Sequence, residues 1–525
     1  MAPGYFARKL RFFKNFKQTR QDGGDAQLQA ALGELKGLLG GGNDVKVHSF
    51  RFGRGGKFRG ALVFIDGLAD SRAVTEAILR PLVRWNGDKV SSADGGLLDT
   101  LARTALCAGD VEAAASLGEL AAACLSGDTA LLADGCAAGL IVSTKGWDKR
   151  GVTEPLSETV VRGPREGFTE SLRTNTALIR RKIKNGNLRV ERMSAGRKTQ
   201  TDICLIYLDG VANPEVVETV KYRIGKLDTD AILESGYIEE YIEDAPFSPF
   251  ATIGYSEKPD VIAARILEGR TAIVVDGTPF VLTAPMLFIE SFQTAEDYYA
   301  RPLYAALTRL LRFAAYAVTV FAPAVYIALT SFHQELIPTT LLLTIANAHE
   351  GTPFPVFIET AIMVFAFEVL REAGIRLPRP IGQTISIVGA LIMGEAAVSA
   401  GIVSAPMVIV IAVMAVASFL VPFQNESASV LRILMMTAAA FLGWYGISMG
   451  CLAVLVHLAT LNSFGVPYFD CFSRTENVQD SVIRMPLWFM VNRPRDLARG
   501  DIRRGKFFIP PPRPHEANAE ERDRL

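Results

Sequence analysis

Five long apolar segments lie between residues 310 and 461 of this 525-residue chain, and they constrain its fold more than any other feature. Crossing about 30 Å of hydrocarbon takes roughly 20 apolar residues in a helix, and five such runs are hard to bury in a soluble core. They therefore predict a polytopic α-helical transmembrane domain over residues 301–465. The segments are residues 310–331, 354–370, 381–401, 407–421 and 431–461.

The number of membrane crossings stays open at this point. Arginines follow the second segment and fill the tail after Met485, and basic loops remain on the cytoplasmic side. The amino-terminal region carries no apolar signal segment, so it is expected on the same side. Both termini on one side require an even number of crossings, whereas five segments are counted. Either the fifth segment breaks at its glycines, or one segment is re-entrant, or the chain crosses again through residues 481–491.

The region before the apolar half predicts a mixed α/β fold built from an internal repeat. ALVFIDGLADSRAVTEAI, which starts at Ala61, aligns with ICLIYLDGVANPEVVETV, which starts at Ile203. LSGDTALLADG at Leu125 aligns with LEGRTAIVVDG at Leu267 at the same offset of 142 residues. Each copy predicts a strand, an Asp-Gly turn and a helix, and later a hairpin. Two landmarks in one order predict two related α/β subdomains, over residues 45–160 and 161–300.

The two ends of the chain are predicted tails. Residues 1–44 are basic and glycine-rich, typical of either an amphipathic helix on an anionic membrane or a solvated tail. Residues 466–525 form a carboxyl-terminal segment with a basic cytoplasmic tail. The formal net charge is zero, so a chain-wide basic field for nucleic acid is not expected.

Motifs for catalysis, cofactors or metals are not found in the sequence. No glycine-rich phosphate loop, nucleophile elbow or zinc-protease motif occurs, so we expect no enzyme activity, no cofactor and no metal site. His333 and Glu335 are close in sequence, but with no third ligand a turn is favoured over a metal pair. The six cysteines have no zinc spacing, and free, mostly buried thiols of a reducing compartment are expected.

Three carboxylates within the apolar segments are the candidate ion-path or gating residues. A carboxylate in lipid is costly and usually faces a bundle interior or a wet cavity. Glu395 is expected to be the buried one, serving either an ion path or helix packing. Glu368 is expected to pair with Arg371 at i,i+3, and Glu359 to reach headgroup water.

Small residues spaced four apart predict close helix packing, and with it an oligomer. Such pairs let helix backbones approach each other in lipid. The candidate packing residues are Gly394, Gly401, Gly446 and Gly450.

Several stretches of the sequence closely resemble one known family. Residues 332–422, together with VRGPREGFTESLRTNTALIRRKI, SPFATIGYSEKPD and HLATLNSFGVPYF, resemble the A subunits of bacterial spore germinant receptors, the GerA family. The resemblance is specific from about residue 161 to about residue 495 and looser before that.

The resemblance implies a function in spore germination at the spore inner membrane. It implies a transporter-like B subunit that binds the germinant, and a lipoprotein C subunit. It also implies a homo-oligomer, a pentamer, that forms a nutrient-gated channel for monovalent cations. Three alternatives stay open: an accessory paralogue encoded with the SpoVA proteins that amplifies ion release, a non-conducting scaffold, and a secondary transporter. A transporter would need repeated, broken helices, whereas the repeat lies in the soluble half.

Overall fold

The structure, a computed structural model, divides the chain into two compact units. The sheet unit comprises Met1–Ile242, Ile253–Pro285 and Pro494–Ile502, and the helical unit comprises Glu243–Thr252, Met286–Arg493 and Arg503–Leu525. The predicted domain boundaries at residues 160, 300 and 465 stay predictions. The residues that the structure describes are 24–86, 96–136, 139–146, 155, 158, 160–376, 394–469, 479–494 and 496–505.

The sheet unit contains two five-stranded antiparallel sheets of the same topology. Their strands are β1 Val45–Phe52, β2 Phe58–Ile65, β3 Val111–Ala114, β4 Thr129–Ala133, β5 Gly139–Val142, β6 Leu188–Ala195, β7 Thr201–Leu208, β8 Gly254–Ser256, β9 Thr271–Val275 and β10 Val281–Ala284. The strand order is β1-β2-β4-β5-β3 in the first sheet and β6-β7-β9-β10-β8 in the second. Each strand thus has a counterpart in the other sheet, in agreement with the predicted repeat and its hairpins.

The helices of the sheet unit repeat in the same way. They are α1 Gly24–Leu38, α2 over residues 71–84, α3 over residues 96–105, α4 Leu117–Leu125, α5 Leu172–Lys182, α6 Pro214–Gly225, α7 Ser235–Ile242 and α8 Pro259–Leu267. A helix precedes the first strand of each sheet (α1, α5), another follows the second strand (α2, α6), and a third precedes the fourth strand (α4, α8).

The predicted Asp-Gly turns after β2 and β7 are present. Gly67 and Gly210 have φ values of +85° and +82°, a region that residues with a Cβ rarely occupy. The helix after the second turn begins with Pro214, and the Asn213 side chain accepts a hydrogen bond from the Glu215 backbone N–H. This cap satisfies one of the free N–H groups at the start of α6.

The central strands are buried on both faces, which explains their continuous apolar sequences. Every residue of β4 and of β9 is buried. In the first sheet, Leu132 packs in a core with residues of α1 and α4, whereas Leu131 packs on the opposite side with residues of α2 and α3. Successive residues of a strand point to opposite faces, so this sheet lies between two helical layers.

A buried ion pair ties the first repeat to the second. Arg180 of α5 donates from Nε to Asp44 Oδ2 over 2.7 Å and from a terminal nitrogen to Oδ1 over 3.1 Å. Arg180 is 1% exposed and Asp44 8%. Next to this pair the backbone of Asn43 donates a hydrogen bond to the Val190 carbonyl of β6. The two sheets therefore belong to one unit.

The carboxyl-terminal segment Pro494–Ile502 returns to the second sheet of this unit. Ala498 pairs with Ala212 and is fully buried in the core formed by α5, α8 and the second sheet. The Asp501 N–H donates to the Gly210 carbonyl over 2.8 Å. The segment thus covers the turn at which the second repeat passes from β7 to α6.

The cysteines of the described residues are free, as predicted, and we expect them to differ strongly in reactivity. Burial raises the pKa of Cys124 to about 12 and those of Cys136 and Cys204 to about 11, whereas the Cys107 side chain is exposed. Because the thiolate is the nucleophile, iodoacetamide at pH 8 should modify Cys107 first and leave Cys124 unmodified. Peptide mass mapping after a short pulse measures this. Equal modification of Cys107 and Cys124 in the native protein would contradict the burial of Cys124. Cys471 lies outside the described residues.

The described part of the helical unit consists mainly of helices, several of which are long and apolar. They are α9 Ala295–Tyr299, α10 Pro302–Ser331, α11 Thr339–His349, α12 Val356–Arg376, α13 over residues 394–399, α14 Ala405–Ser418 and α15 Asn425–Thr460. Two stretches, Pro302–Ser331 and Pro422–Thr460, are long and apolar enough to cross a membrane, and Ala405–Ser418 is a shorter apolar helix. Residues 356–370 of the predicted segment 354–370 lie in α12, and most of segment 381–401 lies outside the described residues.

The last apolar segment is two helices that fold back on each other at Gly443. This glycine has φ +59° and ψ −135°, outside the helical region. In a straight helix Met435 and Gly450 would be roughly 22 Å apart. Here a Cβ placed on Gly450 would lie 2.7 Å from the Met435 sulfur. The break at a glycine, one of the three alternatives left open by the sequence, is therefore present in the structure.

The first half of this hairpin runs parallel to α10, which gives the helical unit two distinguishable ends. Ser427 lies 3.3 Å from the Tyr316 hydroxyl, Arg432 donates to the Thr319 carbonyl, and Gly443 adjoins Phe332. We call one the Arg309 end, after a residue near the start of α10. The other is the Phe332 end, after the residue that follows α10.

Candidate functional site

Glu359 is the most deeply buried of the three predicted carboxylates. Its exposed fraction is 0%. One carboxylate oxygen, Oε1, accepts two hydrogen bonds from Ser404, from the backbone N–H over 2.5 Å and from the hydroxyl over 2.6 Å. The expectation that Glu359 reaches headgroup water is therefore wrong. The start of α14 buries Glu359. It covers the carboxylate and offers it a helix amino terminus, where negative charge is favoured.

A histidine and a tyrosine extend this buried group towards the Phe332 end. His349 Nδ1 lies 3.3 Å from the second Glu359 oxygen, Oε2. His349 Nε2 lies 3.0 Å from the Tyr326 hydroxyl of α10. Tyr326, His349, Glu359 and Ser404 form the glutamate–histidine cluster, which joins α10, α11, α12 and the start of α14. This cluster was not predicted from the sequence, because His349 was not paired with any carboxylate there.

Glu368 lies nine residues, or about two and a half helical turns, further towards the Arg309 end and faces a different helix. It forms the predicted ion pair with Arg371, at 2.7 Å. It also pairs at 2.6 Å with Arg432 of α15, which is completely buried. Arg432 Nε donates to the Thr319 carbonyl over 3.0 Å. Glu368 thus neutralises a buried arginine that the sequence analysis overlooked.

We expect Glu368→Gln to lower the stability of the helical unit. The substitution removes the carboxylate that faces Arg432, but Glu368 is 26% exposed, so water screens part of the loss. A decrease of about 1–3 kcal/mol in the free energy of unfolding follows for a partly screened, hydrogen-bonded pair. Thermal unfolding of the purified full chain in detergent measures it.

The matched control is Glu372→Gln. Glu372 pairs with Arg376 on the same helix, and both side chains are more than half exposed. Equal unfolding temperatures for the two variants would mean that Glu368 does not stabilise Arg432.

Glu395 is exposed in the described part of the chain, contrary to the expectation that it is the buried carboxylate. Its neighbour Ala396 is exposed as well, and Gly394 is buried. The short side chains beside Glu395 leave it uncovered within a single copy. The structure therefore separates the three candidates: Glu359 is buried with His349, Glu368 pairs with arginines, and Glu395 lies at the surface.

The four predicted packing glycines make contacts within one chain. A Cβ on Gly446 would lie 2.1 Å from the Ala438 carbonyl oxygen, so Gly446 and Gly450 bring the two halves of the hairpin together. A Cβ on Gly394 would meet Val408 at 3.3 Å, and one on Gly401 would meet the Gly351 carbonyl at 3.2 Å. Their function in contacts between copies stays a prediction.

A second charged cluster, at the Arg309 end, was missed by the sequence analysis. Asp297 is 1% exposed and accepts hydrogen bonds from Arg309 and Arg312 of α10. Arg309, which is fully buried, also pairs with Asp480 at 3.1 Å. The spacing of Thr294 and Asp297, a capping box at the start of α9, is the sequence signal that marks this site.

Metal binding finds no support in the residues the structure describes. Over these ranges no group of three His, Cys, Asp or Glu side chains could hold an ion.

Comparison with known proteins identifies the family. Residues 33–496 match the family described as Bacillus/Clostridium GerA spore germination protein. The chain belongs to the GerA family. Spore germination protein KA of Bacillus subtilis (strain 168) is 44% identical over 486 residues, which cover 92% of this chain and 89% of that protein.

Other GerA relatives match along nearly their whole length. The uncharacterized membrane protein YfkQ of Bacillus subtilis (strain 168) is 42% identical, over 95% of this chain and 96% of that protein. Spore germination protein GerLA of Bacillus cereus is 37% identical, over 91% and 97%. One similar solved structure is the crystal structure of the N-terminal domain of the A subunit of the Bacillus megaterium spore germinant receptor GerK3. Its sequence is 37% identical. The match covers 49% of this chain and 94% of that chain, with a TM-score of 0.40.

Membership of the GerA family supports a role for this chain in spore germination, and the family is not a known class of enzymes. Among the described residues, the apolar stretches Pro302–Ser331 and Pro422–Thr460 fit the association of a GerA protein with a membrane.

Proposed function

We propose that this GerA-family protein is the A subunit of a germinant receptor in the spore inner membrane. The observation that carries the proposal is the GerA match over residues 33–496, which extends across both the sheet unit and the helical unit. In this proposal the chain works with a transporter-like B subunit, which binds the germinant, and with a lipoprotein C subunit.

We further propose that copies of the chain assemble, as a pentamer, into a nutrient-gated channel for monovalent cations. Large apolar side chains on the helices are exposed in the single chain, among them Phe365 at 72% and Phe441 at 76%. Lipid and neighbouring copies would cover them. Glu395 is an exposed carboxylate in an otherwise apolar segment, and a ring of such carboxylates attracts cations.

The hairpin at Gly443 supports a cytoplasmic position for both ends of the chain. Counted with the predicted segment 381–401, the spans are α10, α12, segment 381–401, α14 and the two halves of α15. Six crossings return the chain to the side on which it started, and the arginine-rich tail favours the cytoplasmic side.

Glu395→Gln tests the channel function. If Glu395 lines the ion path, losing its charge should lower the preference for cations over anions several-fold, with little change in assembly. The measurement is the reversal potential across liposomes that contain the purified receptor complex, under a salt gradient and with germinant present.

The control is Glu335→Gln, which removes an exposed carboxylate from the loop after α10. Unchanged selectivity of the Glu395 variant would remove Glu395 from the ion path. No ion flux from the wild-type complex under activating conditions would favour a non-conducting scaffold instead.

A further inference from the structure

The two edge strands of the second sheet, β6 and β8, are contacted by other parts of the chain. At the β6 edge, the Asn43 N–H donates to the Val190 carbonyl over 3.1 Å. At the β8 edge, the Ser256 hydroxyl donates to the Glu158 carboxylate over 2.7 Å. The edges of this sheet are therefore partly occupied within a single copy.

The corresponding edge strands of the first sheet, β1 and β3, are exposed. Residues 46–49 of β1 are all exposed, and so are Glu112 and Ala113 of β3. β1 pairs with β2 in an unbroken register, and its sequence VKVHSFRF contains no proline. An edge strand presents a row of N–H and C=O groups to a further strand, so an exposed, regular edge is suited to strand addition.

The outward-facing backbone groups of β1 belong to alternate residues. Just before β1, the Asp66 N–H donates to the Asp44 carbonyl over 2.8 Å. Antiparallel strands alternate between residues that bond to the partner strand and residues whose backbone groups point away from it. Counted in twos from Asp44, the groups of Val47, Ser49 and Arg51 point away from β2. Within the described ranges, no other segment forms a backbone hydrogen bond with these three residues.

The same alternation gives β3 an open outer edge. The Ser143 N–H donates to the Asp110 carbonyl over 3.1 Å, so Asp110 bonds towards β5. Val111 and Ala113 therefore point their backbone groups away from β5. In the part of the chain that the structure describes, these two residues have no backbone partner on that side. The first sheet thus has two edges that can each accept a strand.

The two open edges carry opposite charge. β1 contains Lys46 and Arg51 and no acidic residue. Arg51 lies directly opposite Arg59 of β2, and like charges in such a pair are destabilising. Glu112 of β3 and Asp110 just before it are both exposed. A second β1 would add more positive charge beside Arg51, whereas β3 would supply a carboxylate.

The strand directions allow β1 to meet β3 of another copy. Every neighbouring pair in the order β1-β2-β4-β5-β3 is antiparallel, so β1 and β3 run in the same direction. Val45 of β1 and Ala114 of β3 lie in the same core with α1 and α4. Since alternate residues share a face, Arg51 and Glu112 lie on that face too. A sheet continued in parallel therefore brings these two side chains to one surface.

We propose that β1 of one copy pairs in parallel with β3 of the next copy, with Arg51 beside Glu112, so that the first sheet continues from copy to copy. This register places Ser49 beside Asp110. Two different edges meet, so the contact is heterologous, and such contacts form closed rings when the rotation between copies permits. The interface rests on the assembly of copies in the proposed function and assigns a surface to it.

Disulfide cross-linking of the full chain in liposomes tests the pairing. Ser49→Cys and Asp110→Cys are placed in separate copies, and the exposed Cys107 is replaced by serine in both. Paired residues of neighbouring strands lie about 5 Å apart, within the range for a disulfide. After mild oxidation we expect covalent dimers from the mixture of the two variants and none from either variant alone. Cys107→Ser by itself gives the background.

The outcomes separate this interface from the proposed function. Dimers from Ser49→Cys alone would show that β1 pairs with itself and would overturn the proposal. If amine cross-linking shows that the copies assemble but the mixture gives no disulfide, the interface is wrong and the assembly stands. Wild-type copies that remain single in the liposomes would contradict both.

Charge reversal tests the contact between Arg51 and Glu112. Arg51→Glu and Glu112→Arg should each weaken association several-fold, because each change places like charges side by side. The two changes in one chain should restore it. Energy transfer between labelled copies in liposomes measures the apparent dissociation constant. Lys184→Glu, a reversal at an exposed residue after α5, is the control and should have no effect. A double variant no better than either single variant would overturn this pairing.

Discussion

Asp297→Ala should lower the free energy of unfolding of the helical unit by about 3–5 kcal/mol, the range for removing one partner of a buried ion pair. Asp297 is 1% exposed and faces Arg309, which is fully buried, and Arg312. Alanine leaves both guanidinium groups without this carboxylate. Asp480 still pairs with Arg309 but does not replace the contacts to Arg312.

Thermal or denaturant unfolding of the full chain in detergent measures the effect. Asp297→Asn keeps the shape and some of the hydrogen bonds, so it should cost less than alanine. Glu372→Ala is the matched control, because it breaks an exposed i,i+4 pair with Arg376, worth about 0.3–0.5 kcal/mol. If Asp297→Ala and Glu372→Ala unfold alike, the cluster at the Arg309 end contributes no stability.

Gly443→Val should prevent the hairpin of α15 from closing. The backbone at Gly443, with φ +59° and ψ −135°, belongs to a region that is almost restricted to glycine, and occupying it costs a side chain about 1–3 kcal/mol. A Cβ there would also lie 2.9 Å from the Cβ and Cγ atoms of Phe332, closer than real Cβ contacts allow. The backbone strain and the steric clash with Phe332 both destabilise the hairpin. Both are larger for valine than for alanine.

We expect the yield and the unfolding temperature of the purified chain to be highest for the wild type, lower for Gly443→Ala and lowest for Gly443→Val. Gly351→Ala is the control, because a Cβ at that position meets no atom within 4 Å. Retention of the wild-type unfolding temperature by Gly443→Val would show that the chain does not reverse at this residue.

Sequence alone predicted the features that depend on neighbouring residues. The Asp-Gly turns, the hairpin from β4 to β5 and the pair of Glu368 with Arg371 all depend on short-range patterns, so they could be identified without a structure. The repeat was visible because both copies kept the same apolar strands and the same turn glycine.

The errors concern contacts between residues far apart in the chain. Ser404, which covers Glu359, lies 45 residues downstream of it, and Arg432 lies 64 residues beyond Glu368. Neither distance leaves a periodic signal in the sequence. Glu395 was expected to be buried because small residues flank it, but small side chains do not by themselves cover a neighbour, and among the described residues Glu395 is exposed.

The return of Pro494–Ile502 to the second sheet has a consequence for the order of folding during synthesis. Ala498 occupies the apolar core beside β7, and Asp501 hydrogen-bonds to the turn at Gly210. The residues that complete this sheet are therefore translated more than 200 positions after the strands they cover. Residues 286–493 of the helical unit must be translated first, so the turn at Gly210 and the core beside β7 stay uncovered while the apolar helices are made.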